Sequence, residues 1–173
     1  MANINSIAEE AKERFGHATG AETRLFIALW GSGRQDEDVE YPQDPAAGDN
    51  TVRADRLRWL LVESRFQHCL KRVGFRLVDT EVVGSLRLDD VDADFEIAFE
   101  NCLFRDLISL ERGKLRQLDL TNSTFNKAFR ASGIRIEGDC ILEGVTAASD
   151  VTTFDDARIG GSFFARRATF LAP

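Results

Sequence analysis

The second half of the chain repeats large apolar residues every five positions, a period that fits neither an α-helix nor a flat β-strand. Four such residues, each with a small or apolar residue two positions earlier, are Leu110, Leu115, Leu120 and Phe125. Related steps involve Phe99, Phe104, Phe164 and Phe170. One large inward side chain per five-residue step predicts a coil of about 20 residues with four faces, stacked on its neighbours as a β-solenoid.

Glycine motifs overlap these steps and supply candidate corners. The pattern apolar-x-Gly-[Ser/Asp]-apolar-x-apolar occurs three times, at 82–88, 136–142 and 159–165. Glycine adopts backbone conformations that other residues resist, as a corner requires. The chain holds 13 Phe against 1 Tyr and 2 Trp, and we expect most phenyl rings to fill the interior in columns.

The Ala/Cys/Ser-x-Phe/Leu steps resemble a degenerate pentapeptide-repeat protein, which implies a right-handed quadrilateral β-helix. The resemblance covers about 100 residues and extends, through 52–61, 74–77 and the Gly84 motif, to bacterial relatives with a short helical N-terminal region. Most such relatives have no assigned role, so the resemblance implies a fold rather than an activity. The chain departs from the pattern at Arg130, where an apolar residue is expected, and this predicts a loop that interrupts one coil at 126–133.

Residues 1–72 contain start and stop signals of helices, and we expect them to form a helical cap on the β-helix of residues 73–173. Capping boxes stand at 6–9 and 19–22, and Gly31 is a helix end. Residues 32–50 combine two prolines with six acids and predict a surface loop. A third helix is predicted from its cap at Thr51 to about Lys71 with a break near Ser64. Its expected inward residues are Leu57, Leu60 and Leu61, and its expected outward residues are Arg53, Arg56 and Arg58.

Charge and cysteine content exclude several classes of function. With 22 basic and 29 acidic residues the net charge is -7, which argues against direct binding of a nucleic-acid backbone. Cys69, Cys102 and Cys140 are too widely spaced for a disulfide framework or a zinc site. No cofactor or metal is expected, and His68 beside Cys69 is more typical of structural packing. The N-terminus shows no secretory signal and no segment is apolar enough to span a membrane, so the sequence predicts a cytoplasmic protein.

The strongest local anomaly is a run of acids without Lys or Arg between Leu88 and Phe104. Four of these acids alternate, and we call them the acidic strip: Asp90, Asp92, Asp94 and Glu96. In an extended strand they would share one face. Three interpretations stay open: a solvated face, a docking surface for a basic protein, and a cation site. An EF-hand is excluded because Phe95 and Asn101 occupy its glycine and bidentate-glutamate positions.

Catalytic signatures are missing from the sequence, including Gly-x-Ser-x-Gly, the Walker loop and His-Glu-x-x-His. We therefore expect a non-enzymatic binding or scaffolding module that docks a protein partner on the acidic strip. Residues 73–173 hold 12 basic and 17 acidic side chains, and some pentapeptide-repeat proteins are acidic rods that mimic DNA and inhibit topoisomerases. Such an inhibitor is the alternative. From another class, an enzyme or cation site would lie between cap and first coil, near His68, Arg72 and 89–94.

Apolar residues occupy the repeat positions of the C-terminal segment almost to the end of the sequence. Residues 162–165 and 168–171 carry three Phe and one Leu. An apolar last coil with unpaired backbone predicts either a homodimer through this end or continuation as a longer β-helix.

Overall fold

The computed structural model describes residues 4–31, 50–148 and 151–171. Four helices precede or adjoin the first coil: α1 (Ile4–Phe15), α2 (Gly20–Gly31), α3 (Ala54–Val62) and α4 (Ser64–Val73). The predicted acidic loop at 32–50 lies, apart from Asn50, outside the described residues. The predicted break near Ser64 is confirmed, because Glu63 separates α3 from α4.

Most of the remaining chain forms short strands. These are β1 (Thr51–Arg53), β2 (Phe75–Val78), β3 (Glu81–Val83), β4 (Leu86–Arg87), β5 (Asp92–Glu100), β6 (Leu103–Phe104), β7 (Ile108–Ser109), β8 (Lys114–Asp119), β9 (Thr124–Phe125), β10 (Phe129–Arg130), β11 (Arg135–Ile136), β12 (Cys140–Ile141), β13 (Thr146–Ala147), β14 (Thr152–Thr153), β15 (Arg158–Ile159), β16 (Phe163–Phe164) and β17 (Thr169–Phe170).

Parallel pairing stacks these strands into a β-solenoid of about 4 turns. One sheet runs β1-β3-β6-β9-β13-β17 and a second runs β4-β7-β10-β14. In the third, β2 pairs with β5 and β5 with β8, and β8 then pairs with both β11 and β12, which lead to β15 and β16. The predicted fold, mainly β with a solenoid and N-terminal helices, is confirmed at this level.

Each coil is slightly longer than the four equal steps that the sequence pattern predicts. Val82 pairs with Phe104, and Phe104 pairs in turn with Phe125. Cys140 pairs with Phe163 on another face. In all three pairs the partner lies a little further along the chain than four steps of five would place it. Steps of four and six occur beside steps of five because the turns between sheets differ in length.

A continuous stack of phenyl rings runs through the solenoid interior. Ring centroids 5.0–5.9 Å apart connect Phe75, Phe99, Phe104, Phe125, Phe129, Phe154 and Phe163 in that order. Leu110, Leu115 and Leu120, which the five-residue pattern assigns to the interior, are also buried. The excess of Phe is therefore explained by packing, since these rings bury large apolar surfaces with no polar group to satisfy.

Two predictions about the inward register are wrong. Residues 126–133 do not interrupt the coil: β10 pairs with β7 and β14, so Phe129 is buried and Arg130 is exposed. The step from Phe125 to Phe129 is one position shorter than a strict period of five anticipates. Phe164 lies in the outward column of Asp119 and Ile141, and its neighbour Phe163 occupies the inward column of Cys140.

The start of the third helix is also different from the prediction. Thr51 is not a helix cap but the first residue of β1, which pairs with β3 and buries Val52 completely. Arg56, expected to face outward, is 1% exposed, and Arg53 is half-buried, whereas Arg58 is exposed as expected. The division of the chain at residue 72 stays a prediction, and β1 of the first part belongs to a sheet of the second.

The helices cover one end of the solenoid. Leu57, Leu60 and Leu61 of α3 are fully buried, and this helix packs against β1 and β4. Helix α4 packs against β5. Trp59 lies between Phe15 of α1 and Phe66 of α4, at ring distances of 5.6 and 4.9 Å. The cap thus shares a core with the first coil, which a bare solenoid end would otherwise expose.

Glycines occupy corners where another residue would be strained or would clash. Gly84 has φ +84°, a left-handed backbone that glycine adopts without steric cost. At Gly161 a Cβ atom would lie 2.7 Å from the carbonyl carbon of Gly138 in the preceding coil. The glycine motifs recognised in the sequence therefore do mark corners.

Candidate functional site

Strand β5 positions most of the acidic strip on the surface. Its burial alternates, with Ala93, Phe95 and Ile97 fully buried while the acids at 92, 94 and 96 face outward. This confirms the alternation read from the sequence. Asp90 precedes the strand, in a turn where its φ is +57°, so it flanks the other three acids rather than continuing their row.

An irregularity in the pairing lies within the strip. Ala93 pairs with Leu115 and Glu96 with Gln117, so β5 has one residue more than β8 between these two pairs. Such a bulge bends the strand and redirects the side chain beside it. Phe95 is directed into the core, and Asp94 lies beside Arg116 of β8.

Basic residues of the next coil already neutralise two acids of the strip. Arg112 donates hydrogen bonds from Nε and Nη2 to the two carboxylate oxygens of Asp90, both at 2.8 Å. Arg116 Nη2 lies 3.2 Å from Asp94 Oδ1, and Lys71 Nζ of α4 lies 3.8 Å from Asp94 Oδ2. These hydrogen bonds from Arg112 and Arg116 hold the pKa of Asp90 and of Asp94 below the ordinary aspartate value.

The other two acids of the strip are more available to a binding partner. Asp92 and Glu96 are exposed, and within the described ranges neither lies within 4 Å of a basic nitrogen. Asp92 is the register partner of Lys114, but the Lys114 ammonium lies 3.3 Å from Glu137 Oε1. Glu96 Oε1 accepts only a long hydrogen bond, 3.4 Å, from the Gln117 amide.

Sequence reasoning missed a basic column that continues the position of Asp92 through the later coils. It consists of Lys114, Arg135 and Arg158, which are paired in register on β8, β11 and β15. Lys114 is half-exposed and both arginines are exposed. The column could have been found by advancing one coil at a time from Asp92, but the length of that step becomes known only from the strand pairing. The column that begins with Asp92 is thus acidic in its first coil and basic in the later ones.

The residues predicted for the alternative site between cap and first coil are either exposed or hydrogen-bonded within a turn. His68 and Arg72 lie on the exposed side of α4. Asp89 accepts hydrogen bonds from the Ser109 hydroxyl and from the Glu111 amide, 3.1 Å, and so fixes a turn. Across residues 4–31, 50–148 and 151–171, no three His, Cys, Asp or Glu side chains converge on a point that could hold a metal ion. A shallow depression of about 400 Å³ lies elsewhere, lined by Asn50, Asp79, Glu81 and Asn101 among others.

A buried charge cluster joins helix α2 to the first coil. Glu22 is 1% exposed, and its Oε2 lies 2.9 Å from both Arg53 Nη2 and Arg56 Nη1. Arg56 Nη2 also donates to the carbonyls of Phe15, Gly16 and His17, which closes the end of α1. Thr19 and Glu22 form the predicted capping box, with Glu22 N donating to Thr19 Oγ1 at 3.1 Å and Thr19 N donating to Glu22 Oε2 at 2.9 Å.

Burial disfavours the ionised form of Glu22, but its hydrogen-bond donors and the neighbouring arginines stabilise that form more strongly. Burial alone would raise the pKa of Glu22, whereas hydrogen bonds from the Arg53 side chain and from the amides of Thr19 and Arg53, together with the Arg56 charge, leave it below the ordinary value. Glu22 is therefore ionised at neutral pH, and the cluster is structural.

Comparison of the chain with protein-family models, with curated proteins and with solved structures found no match. Among the described helices, none has the length and apolar character needed to cross a lipid bilayer.

Proposed function

We propose that the protein is a non-enzymatic binding or scaffolding module that docks a basic protein partner on the acidic strip. We further propose that its solenoid is a right-handed quadrilateral β-helix of the pentapeptide-repeat type. The five-residue steps and the glycine corners support this finer description of the fold.

The observation that carries the proposal is the exposure of Asp92 and Glu96 on a strand that is paired with the next coil and anchored by its buried side chains. Within the strip, β5 pairs with β8, and β2 pairs only with the second half of β5, Ile97–Glu100. The inward residues of the strip segment, Ala93 and Phe95, are fully buried. Carboxylates fixed in this way lose little backbone freedom when a partner binds. A basic partner would find two unneutralised charges on opposite sides of the bulge at Asp94.

The four acids of the strip are not equivalent in this proposal. Asp90 and Asp94 are already bound by Arg112 and Arg116, so a partner must compete with these arginines to use them. Asp92 and Glu96 offer their charge without that competition. Binding energy therefore depends mainly on the second pair, and the first pair contributes to the shape of the surface.

Affinity capture with matched variants tests this function. D92N/E96Q and D90N/D94N each remove two charges from the strip, and E13Q/E63Q removes two charges outside it as a control. We expect quantitative mass spectrometry of lysate proteins retained on the immobilised chain to identify a basic protein that is retained by wild type and by E13Q/E63Q. D92N/E96Q should lose more of it than D90N/D94N loses. Equal retention by all variants would contradict the proposal.

A DNA-mimic inhibitor of a topoisomerase is the second candidate, suggested by the excess of 17 acidic over 12 basic residues in 73–173. The basic column weakens it, because a DNA mimic requires a continuous negative surface, and Lys114, Arg135 and Arg158 interrupt that surface. Supercoiling by gyrase, assayed with a large molar excess of the protein, distinguishes the two candidates. Inhibition by wild type that is lost in D92N/E96Q would favour the mimic, and unchanged supercoiling would remove it.

A further inference from the structure

The last described coil, residues 151–171 and called the end coil below, exposes the columns that fill the solenoid elsewhere. Phe163 continues the column of Ile97, Leu118 and Cys140, each 0% exposed, yet Phe163 itself is 50% exposed. Phe170 continues the column of Phe104, Phe125 and Ala147, and it is 48% exposed against 2% or less for those residues. An exposed apolar face of this kind is a surface that further strands can cover.

The backbone of the end coil has an unpaired edge on the same side. Ser162 and Phe164 accept hydrogen bonds from Cys140 and Leu142 of the preceding coil, and Arg158 and Gly160 donate to Ile134 and Ile136. Successive peptide groups of a strand point in opposite directions. The N–H and C=O groups of Ile159 and Phe163 therefore point away from the solenoid, where a further strand could pair with them.

The end coil has a nearly symmetric sequence about Gly161. Four pairs of residues at equal distances on either side of Gly161 have both members at inward positions. Each of these residues contacts the core or continues a buried column. These pairs are Ile159 with Phe163, Ala157 with Ala165, Phe154 with Ala168 and Thr152 with Phe170. A two-fold axis at Gly161 would thus bring inward residues of one copy onto inward residues of another.

Charged residues at equal distances before and after Gly161 have opposite signs. Asp155 and Asp156 form the turn before β15, and Arg166 and Arg167 form the turn after β16. Counted from Gly161, Asp155 corresponds to Arg167 and Asp156 to Arg166. A two-fold axis there places each acidic turn on the basic turn of the other copy, twice per dimer. Arg166 also bonds to Glu143 of the preceding coil, at 2.7 Å, whereas Arg167 has no such bond among the described residues.

We propose that a second copy of this chain stacks end to end on the end coil, about a two-fold axis at Gly161. Strand β15 of each copy then pairs antiparallel with β16 of the other, so that Ile159 and Phe163 exchange backbone hydrogen bonds. The phenyl stack continues from one solenoid into the next, and Asp155 meets Arg167 at both sides of the interface. This surface is separate from the acidic strip, and it does not depend on the proposed function.

Charge reversal at one contact tests the axis. We expect the full chain to have twice its 19.3 kDa mass in light scattering and sedimentation at roughly 1 to 100 micromolar, because apolar burial drives association. D155R and R167D each place like charges together at both contacts and should raise the dissociation constant more than about tenfold. An equimolar mixture of the two variants has complementary charges at both contacts, and it should dimerise as wild type does.

Control variants separate this geometry from general charge effects. E13R and K127D make the same charge changes on exposed residues outside the end coil, and they should dimerise normally. Far-UV circular dichroism and thermal melting confirm that each variant is folded. A monomeric wild type at the highest concentration would overturn the proposal. A dimer that neither D155R nor R167D weakens, or a mixture that stays monomeric, would overturn the axis at Gly161.

Discussion

At the scale of single residues, the interior is specified by ring size rather than by polar chemistry. Each phenyl ring of the stack contacts the next in a neighbouring face or coil, so a truncated ring loses contacts on two sides. Phe104 lies 5.2 Å from Phe99 and 5.4 Å from Phe125, and it is 1% exposed. Neither coil can close the resulting space without disturbing its backbone ladder.

Phe104→Ala should therefore lower the free energy of unfolding by roughly 3–5 kcal/mol, the cost of a large cavity in a core. Urea denaturation followed by circular dichroism measures the loss. Lys127→Ala, at an exposed position, serves as the control and should change stability by less than about 0.5 kcal/mol. A loss below about 1 kcal/mol at Phe104 would mean that the interior relaxes around the cavity.

Glu22 is the residue on which the attachment of the helices depends. Glu22→Gln leaves the buried guanidinium of Arg56 without its countercharge, and it should cost roughly 3–5 kcal/mol at pH 7. Because the folded-state pKa of Glu22 lies below the unfolded value, its contribution is present above the unfolded pKa and is lost as pH falls through the folded pKa.

The stability difference between wild type and Glu22→Gln should thus be largest near neutrality and shrink once the pH falls below about 4.5. Urea titrations at several pH values measure it. Glu10→Gln, which removes an exposed partner of Arg65, is the control and should have little effect on stability. A difference that is independent of pH would assign the loss to shape rather than to charge.

At the scale of elements, the coils turn through columns of left-handed residues. One such column contains Asp79, Asn101, Asn122, Gly144 and Arg167, with φ between 52° and 65°. A second contains Asp90, Arg112, Gly133 and Asp156, with φ between 55° and 69°. Asn, Asp and Gly tolerate this region best. The turns keep the sheets stacked because amides in them bond to the next coil, as Asn101 N does to Thr121 O at 2.9 Å.

Substitutions at Asn101 should reveal this backbone requirement. Asn101→Val places a β-branched side chain in the left-handed region and should destabilise the fold by roughly 1–2 kcal/mol. Asn101→Gly should be close to neutral, since it removes a side chain and keeps the conformation accessible. Thermal melting of the two variants beside wild type measures the contrast. Similar losses for both would indicate that the side chain, and not the backbone angle, stabilises the turn.

At the scale of the whole molecule, the three thiols report on how cooperatively helices and solenoid unfold. Burial raises the pKa of Cys102 to about 11 and that of Cys140 to about 12, so neither forms an appreciable thiolate near neutrality. Cys69 on α4 is half-buried. The three positions sample helix α4, the residue that precedes β6 of the first sheet, and β12 of the third sheet.

A thiol-specific reagent at about pH 8 should modify one thiol per native chain rapidly and all three after denaturation. Mass spectrometry of peptides identifies the modified thiol, which we expect to be Cys69. In intermediate urea, simultaneous exposure of Cys102 and Cys140 indicates a single cooperative solenoid, whereas exposure of Cys140 first indicates that the coils unfold from the end coil. Rapid reaction of Cys102 or Cys140 in the native chain would contradict their burial.

The architecture could be predicted from the sequence, because local spacing along the chain carries it. Five-residue steps and glycine corners predicted stacked coils with Phe and Leu inside, and alternation predicted that Asp92, Asp94 and Glu96 share a surface. The capping box at Thr19 could also be predicted, since its two partners are close neighbours in the sequence. These features depend on neighbours along the chain, whose relative positions are set by covalent geometry and backbone sterics.

Which charges remain available could be known only once the coils are stacked. Arg112 and Arg116 reach Asp90 and Asp94 from the next coil, and Arg56 reaches Glu22 from a distant part of the sequence. Unequal steps shift the register, so Phe129 and Phe163 point inward where a strict period places Arg130 and Phe164. Coil stacking brings together residues that lie a whole coil apart. The turn lengths that fix this separation follow from packing of the whole solenoid rather than from any local pattern.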